Sequence, residues 1–204
     1  MSYNGSASAV ADVHFSTSAR SNQDLIAAEL AAGDLLKALG VSLDHPSTQE
    51  TPGRMARALA EIITPAEFTA TTFRIEEGGA GLVLQCEIPF RTLCEHHMLP
   101  FSGVAHVGYL PGERVIGLSK LTRLVEHYAA RPQVQERLTY QIGAWLNENL
   151  GALGAGVVTK AEHSCMALRG VRVAGVHTIN SAWFGELRES ASQRDQLLSL
   201  AGLK

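Results

Sequence analysis

Two groups of metal-binding side chains, far apart in the sequence, constrain the fold most strongly. Residues 94–97 read Cys-Glu-His-His, and residues 163–165 read His-Ser-Cys. The Cys-x-x-His spacing of the first group lets one turn aim a thiolate and an imidazole at the same ion. The second group lies in a stretch of strand character, where alternate side chains share a face, so His163 and Cys165 are expected to point into one pocket. A chain that uses both groups must bring them together.

The donor chemistry of these groups favours zinc. If Cys94, His97 and Cys165 are the ligands, two soft thiolates and one imidazole suit Zn²⁺ better than Fe²⁺, which is the less favoured alternative. Three protein ligands leave the fourth tetrahedral position open for water, as in catalytic rather than structural zinc sites. His96 and His163 are then free to transfer protons. Taken singly, each residue is more often a core or surface residue, so the interpretation depends on the set.

The overall charge argues against some partners. The 204 residues carry 17 basic and 20 acidic side chains, so nothing favours binding to nucleic acid or to an anionic membrane. Residues 1–90 hold five basic and eleven acidic side chains, whereas residues 91–204 hold twelve basic and nine acidic. An anionic ligand is therefore expected to bind the second segment.

The cysteine count and the first residues point to the cytoplasm. Cys86, Cys94 and Cys165 cannot all pair, and an odd number of cysteines argues against a disulfide framework. Cys86 has no neighbouring ligand and is interpreted as a buried structural thiol. The N-terminus lacks the features of a secretory signal, and no stretch reaches the roughly 18 to 20 apolar residues that span a bilayer. We expect a soluble protein in a reducing cytoplasm.

Periodicity predicts an α+β fold with an antiparallel sheet. Residues 1–21, rich in Ser, Ala, Gly and Asn, are predicted to be a flexible tail, and no composition shift marks a second domain. The polar face of the third predicted helix is expected to carry Lys120, Arg123 and His127. Helices are predicted over 22–40, from 51 with Thr51 as N-cap, over 119–130 with Ser119 as cap, over 133–150 and over 193–200, and strands over 82–90, over 104–110 and within 156–184.

Four motifs in a fixed order resemble those of GTP cyclohydrolase I. The resemblance extends from about residue 22 to residue 200 and is much more specific than a single Cys-x-x-His. In the segment 176–181 the chain departs from the family's usual Thr-rich strand, and His177 and Asn180 are interpreted as packing or interface variation. The motifs are 94–101 (Cys-Glu-His-His-Met-Leu-Pro-Phe), 115–123 (Val-Ile-Gly-Leu-Ser-Lys-Leu-Thr-Arg), 131–139 (Arg-Pro-Gln-Val-Gln-Glu-Arg-Leu-Thr), and 163–165 with Arg169 and Gly170.

The resemblance implies a tunnelling fold (T-fold) whose subunits form a toroidal homodecamer, with each active site at a junction of subunits. An N-terminal helical region (22–64) would precede a catalytic core (about 70–204). The reaction would convert GTP and water into 7,8-dihydroneopterin triphosphate and formate, the first step toward tetrahydrofolate and other pterins. It would need one Zn²⁺ per subunit. The resemblance identifies no regulatory protein partner.

The resemblance also implies a role for each matched residue. The zinc ligands are Cys94, His97 and Cys165, and the proton-transferring histidines are His96 and His163. Without the motifs, an acidic residue in the first turn of a helix would be interpreted as helix stabilisation, and basic residues as solvated charges on a helix face. The residues matched to substrate binding are Glu136 with Gln135 for guanine, and Ser119, Lys120, Arg123, Arg169, Arg54 and Arg57 for the triphosphate.

The chemistry of the implied reaction suits these residue types. Hydrolytic opening of the guanine imidazole at C8 needs a hydroxide at neutral pH, and zinc lowers the pKa of bound water to about 7. Attack at C8 places negative charge on the ring, so a general acid near N7 should help, and His163 is the candidate. His96 would serve the ribose side. Glu136 could accept hydrogen bonds from N1–H and the 2-amino group, which adenine does not offer.

The sequence leaves two further functions open. A zinc-stabilised ring could bind nucleotide without catalysis, in which case GTP would bind and survive. A different enzyme on the same fold could stop at the formamidopyrimidine intermediate or act as a pterin synthase. Against the second alternative stands the complete set of Cys94, His96, His97, His163 and Cys165.

Overall fold

The computed structural model describes residues 13–14, 24–75 and 81–203. The predicted tail over 1–21 lies outside these ranges except for Val13–His14. In chain order the elements are β1 (Val13–His14), α1 (Leu25–Ala38), α2 (Thr51–Ile62), β2 (Thr69–Ala70), β3 (Thr72–Arg74), β4 (Val83–Cys94), β5 (Pro100–Leu110), β6 (Arg114–Ile116), α3 (Leu118–Ala129), β7 (Pro132–Gln133), α4 (Gln135–Asn149), β8 (Gly154–His163), α5 (Ser164–Ala167), β9 (His177–Phe184), α6 (Gly185–Glu189) and α7 (Ala191–Leu200).

A five-stranded sheet organises these elements. Its strand order is β7-β4-β5-β8-β9, and every neighbouring pair is antiparallel except β4 with β7. Two small antiparallel ladders join β1 with β2 and β3 with β6. The predicted α+β class with an antiparallel sheet is confirmed.

Helices α3 and α4 cover one face of this sheet. Along β5 the alternating side chains of Ala105, Val107 and Tyr109 are fully buried. Burial of apolar surface between the sheet and the two helices is the main stabilising contribution to such a fold. The helical side of this core consists of Leu121, Leu124 and Val125 of α3 and Leu138, Ile142, Trp145 and Leu146 of α4.

Gly143 lets α4 approach strand β9 closely. A Cβ at this position would lie 2.5 Å from Cε2 of Phe184, a separation that packed carbon atoms do not adopt. Because α4 lies this close to the strand, the side chain of its first residue, Gln135, reaches the backbone carbonyl of Thr178 in β9. The glycine therefore fixes the position of α4 on the sheet.

Helix α1 carries more apolar surface than its own chain covers. It packs against α2, yet only Ala32 and Gly33 are buried. A helix that is apolar on most sides is typical of one packed against further surfaces. The exposed large apolar side chains of α1 and the residues after it are Leu25, Ile26, Leu30, Leu35, Leu39 and Val41.

Within the described ranges, no helix is both long enough and apolar enough to cross a membrane.

The predicted caps of two helices are wrong. Thr51 is the first residue of α2 rather than its N-cap, and α3 begins at Leu118, so Ser119 lies inside the helix. Neither helix has a side-chain hydrogen bond at its N-cap. Apolar periodicity locates the buried face of a helix, but it does not identify the residue at which the backbone enters it.

The predicted strands also differ from the observed ones. Strand β4 continues beyond residue 90 to Cys94, and β5 starts at Pro100 rather than at 104. The strand character predicted within 156–184 is interrupted after His163 by α5 and a loop. That loop contains Gly170 and Gly175 in the left-handed region, which ends regular strand geometry.

Two side chains lie in environments opposite to those predicted. His127, expected on the polar face of α3, is only 6% exposed, and burial lowers the pKa of its imidazole. Its Nδ1 lies 3.2 Å from the carbonyl oxygen of Ala66. Cys86, expected to be buried, is exposed. It lies in a β-bulge, because the register between β4 and β5 shifts between Gln85 and Ile88.

Replacing Tyr109 by Phe should destabilise the protein. The buried Tyr109 hydroxyl accepts a hydrogen bond from the backbone N–H of Ile116 at 3.1 Å, and the variant leaves this donor unpaired. The free energy of unfolding, measured by chemical denaturation, should fall by about 1–3 kcal/mol. Tyr140→Phe, at a side chain that is 57% exposed, is the control and should change it by less than about 0.5 kcal/mol. Equal effects of the two substitutions would contradict the role of this hydrogen bond.

Candidate active site

A tight turn after β4 brings Cys94 and His97 together. The backbone N–H groups of His97 and Met98 donate to the carbonyl of Cys94 at 3.2 and 2.7 Å, and Cys94 N–H donates to the carbonyl of Leu99. Met98 adopts a left-handed φ of 52°, which returns the chain to β5. The Sγ atom of Cys94 lies 3.8 Å from Nδ1 of His97 and 4.0 Å from Nδ1 of His96.

The second group reaches this turn through strand pairing. Strand β8 pairs with β5 so that His163 is opposite Phe101, just beyond the turn. Helix α5 begins at the next residue and carries Cys165. The ligand atoms of Cys94, His97 and Cys165 all lie within 4.8 Å of one another. The predicted convergence is therefore observed, but the predicted strand geometry at Cys165 is wrong, because one short helical turn directs it.

These three residues could hold a metal ion, and we call them the metal group. Burial raises the pKa of the Cys165 thiol, and the neighbouring thiol of Cys94 raises it further. A bound cation would stabilise both sulfurs as thiolates. Two sulfurs and one imidazole nitrogen fit zinc, with the fourth tetrahedral position left over.

His96 lies on the solvent side of the metal group. Its side chain is 65% exposed, and its Nε2 lies 3.9 Å from Oε1 of Glu95. The carboxylate of Glu95 also forms an ion pair with Arg137 of α4. This pair connects the turn after β4 to the first turn of α4 and leaves the His96 ring accessible.

His163 is held more firmly than His96. Its ring stacks on Phe101, with centroids 4.4 Å apart and planes 9° from parallel. Its Nε2 lies 2.9 Å from Oε1 of Gln135. Burial lowers the pKa of this imidazole, and the nearby negative charge of Glu136 opposes that shift. The two histidines of the site therefore differ in their contacts and in solvent access.

The first two residues of α4 point in different directions. Glu136 is exposed, whereas Gln135 is only 2% exposed. The side chain of Gln135 is bonded to Thr159, Thr178 and His163, so its amide has protein partners at both ends. The carboxylate of Glu136 is thus accessible to a ligand, whereas the side chain of Gln135 is buried.

Among the predicted triphosphate residues, Arg169 is the one whose charge acts on the metal group. It lies in the loop after α5, and its positive charge partly offsets the rise in the pKa of the Cys165 thiol that burial and Cys94 cause. Arg123 lines a cavity of about 1100 Å³ together with Arg91 and Lys160, and no member of the metal group lines it. In the described ranges, no hydrogen bond or ion pair joins the metal group to the other predicted triphosphate residues, Ser119, Lys120, Arg54 and Arg57.

Three contacts of the site were not foreseen from the sequence. They are the stacking of Phe101 on His163, the ion pair of Glu95 with Arg137, and the hydrogen bond between Gln135 and His163. Phe101 and Arg137 both lie within the sequence motifs, which is a signal that could have singled them out. Their partners depend on strand register and on the position of α4, which no motif specifies.

The chain is similar to one family over most of its length. The family model described as GTP cyclohydrolase I matches residues 28–202. Proteins named GTP cyclohydrolase 1 from Streptomyces avermitilis and Mycobacterium ulcerans are each 48% identical over 180 residues, which is 85% of this chain and 88% of the relative. The protein of that name from Corynebacterium glutamicum is 47% identical over 178 residues, 85% of this chain and 91% of the relative.

The purified protein should contain one zinc ion per chain. Replacing one ligand, as in Cys165→Ser, removes a thiolate and should reduce zinc to background in elemental analysis after gel filtration. Cys86→Ser is the matched control, because Cys86 is exposed and outside the metal group, and this variant should retain its zinc. A full equivalent of zinc in Cys165→Ser would refute the three-residue site.

Proposed function

The chain belongs to the GTP cyclohydrolase I family, and from that membership we propose that it hydrolyses GTP to 7,8-dihydroneopterin triphosphate and formate. The proposal places this reaction in the cytoplasm, at the first step toward tetrahydrofolate and other pterins. The observation that carries it is the metal group, Cys94, His97 and Cys165, with His96 and His163 on either side and Glu136 nearby. This arrangement offers a metal position, proton carriers and a carboxylate within one site.

Zinc is the cofactor that fits the metal group. When bound there, Zn²⁺ would supply a hydrolytic nucleophile at neutral pH by lowering the pKa of a coordinated water. Cys94, His97 and Cys165 would hold the ion through three protein ligands, as in catalytic zinc sites. The thiols arise from two different elements, β4 and α5, so binding the metal also fixes these elements against each other.

His163 and His96 move protons in the proposed reaction. Attack of hydroxide at C8 places negative charge on the imidazole part of guanine, and His163 neutralises it by donating a proton at N7. Stacking on Phe101 and the bond to Gln135 keep the His163 ring in one orientation for this step. The exposed and less restrained His96 serves the ribose side, where ring opening and rearrangement require protons to be carried to and from solvent.

The triphosphate would be bound across subunits of a toroidal T-fold homodecamer. The charge of Arg169 acts on Cys165 of its own chain, whereas we propose that Ser119, Lys120, Arg123, Arg54 and Arg57 act at a junction with another subunit. Two features of the chain support assembly. Among the described residues, strand β9 has a partner on one side only and exposes Ile179, and α1 exposes most of its apolar residues.

GTP turnover should require zinc and release two products in equal amounts. With GTP as substrate, formate and the fluorescent pterin obtained after oxidation should appear together, because both follow from the same ring opening. A zinc chelator should abolish both, and re-addition of zinc should restore both. Intact GTP in the presence of zinc-loaded protein would favour the non-catalytic nucleotide-binding ring, and a formamide product without pterin would favour the partial reaction.

Replacing Glu136 by Ala should reduce discrimination between GTP and ATP. The carboxylate is proposed to accept from guanine N1–H and the 2-amino group, so kcat/KM for GTP should fall by about 100-fold or more. Competition by ATP for binding should change little. Glu148→Ala, at the other end of α4, is the matched control and should leave kcat/KM for GTP within about twofold. An unchanged kcat/KM in Glu136→Ala would remove Glu136 from guanine recognition.

A further inference from the structure

A buried network of hydrogen bonds surrounds the side chain of Gln135. The side-chain nitrogen of Gln135 lies 3.2 Å from the carbonyl oxygen of Thr159, 3.0 Å from that of Thr178 and 3.0 Å from the hydroxyl of Thr159. All three neighbours can accept a hydrogen bond, and the two carbonyls can do nothing else. This end of the carboxamide must therefore be its NH₂ group.

The hydroxyls of Thr139 and Thr159 complete this hydrogen-bond network and determine which group donates at each bond. Thr139 Oγ1 donates to the backbone carbonyl of Gln135 at 2.7 Å, one turn earlier in α4. Its single proton is then used, so at the 2.7 Å contact between the two hydroxyls Thr159 must be the donor. Thr159 Oγ1 then has its lone pairs free to accept from the Gln135 NH₂ group, whose two hydrogens are shared among its three acceptors. Donation runs from the Gln135 amide to Thr159, then to Thr139, and back to the Gln135 backbone.

This direction determines which nitrogen of His163 carries a proton. Because the NH₂ group of Gln135 donates to Thr159 and Thr178, the other end of the amide, Oε1, is the atom that lies 2.9 Å from His163 Nε2. An amide oxygen only accepts, so Nε2 must donate and Nδ1 keeps the free lone pair of the neutral ring. Rotating the amide by 180° would face its oxygen toward two carbonyls and its NH₂ toward Nε2–H, which costs several buried hydrogen bonds.

Burial makes this arrangement rigid. Gln135 is 2% exposed, Thr139 is 1% exposed and Thr159 is fully buried, so water cannot replace a lost bond. The three residues come from the first turns of α4 and from the middle of β8. Phe101 holds the His163 ring from its face, and Gln135 holds it from its edge.

We propose that Gln135, oriented by Thr159 and Thr139, is a positioning residue that holds His163 in the tautomer with hydrogen on Nε2 and leaves Nδ1 as the nitrogen that exchanges protons with the substrate. The inference rests on the proposed function, because His163 needs a defined orientation only if it transfers a proton. It assigns Gln135 a role through His163 rather than direct contact with guanine.

Kinetics of three variants separate this role from substrate binding. Gln135→Met removes the acceptor for Nε2 and should lower kcat at least about tenfold, while KM for GTP stays within about twofold. Thr159→Val removes the hydroxyl that orients the amide and should also lower kcat with little effect on KM. Thr159→Ser restores the hydroxyl and should recover most of the loss.

Two controls exclude general damage. Thr72→Val removes another buried threonine hydroxyl, which accepts from Arg114 far along the sequence from His163, and should leave kcat within about twofold. All variants should retain one zinc per chain by elemental analysis. Loss of zinc in Gln135→Met and Thr159→Val, or equal kcat losses in Thr159→Val and Thr159→Ser, would overturn the proposal by showing a general structural role.

A raised KM with unchanged kcat in Gln135→Met would also overturn it, because Gln135 would then be a guanine ligand. The tautomer is tested without turnover by solid-state ¹⁵N NMR of the histidine-labelled protein, with His163→Asn used to assign the signal. Hydrogen on Nε2 of the neutral ring is the expected result, and hydrogen on Nδ1 would contradict the proposal. Failure of the proposed function would appear separately, as the absence of GTP turnover in the unaltered protein.

Discussion

The pairing of β5 with its two neighbours is the interaction on which the site depends. Toward β4, Leu93 pairs with Pro100 and closes the turn that carries His97; toward β8, Phe101 pairs with His163. One strand therefore brings the two parts of the metal group to the same end of the sheet. A shift of either register by one residue would turn every side chain to the opposite face and separate the thiols.

Helix α4 supplies the second constraint. Its first residues offer one buried amide and one exposed carboxylate, Gln135 and Glu136, at adjacent positions. The side-chain amide of the buried residue contacts the hydroxyl of Thr159, whereas the exposed carboxylate is accessible to solvent. Because Gly143 lets the helix lie close to β9, the packing of α4 on the sheet determines this placement.

Sequence patterns predicted the fold class, the long helices and the metal group, because these depend on local periodicity and donor chemistry. They placed Cys165 correctly beside Cys94 for a wrong reason, since a helical turn and not an extended strand directs it. They could not foresee the burial of His127, whose position depends on the segment near Ala66. Sequence patterns also could not predict the hydrogen bond between Gln135 and His163, because this bond depends on how α4 packs on two strands.

We infer that Cys94, His97 and Cys165 together bind one zinc ion and leave one position open for water. X-ray absorption at the zinc edge of the purified protein is the decisive measurement, because it distinguishes sulfur from lighter ligands. We expect two sulfur scatterers at about 2.3 Å and two nitrogen or oxygen scatterers at about 2.0–2.1 Å. A shell of four sulfurs, or one without sulfur, would contradict it.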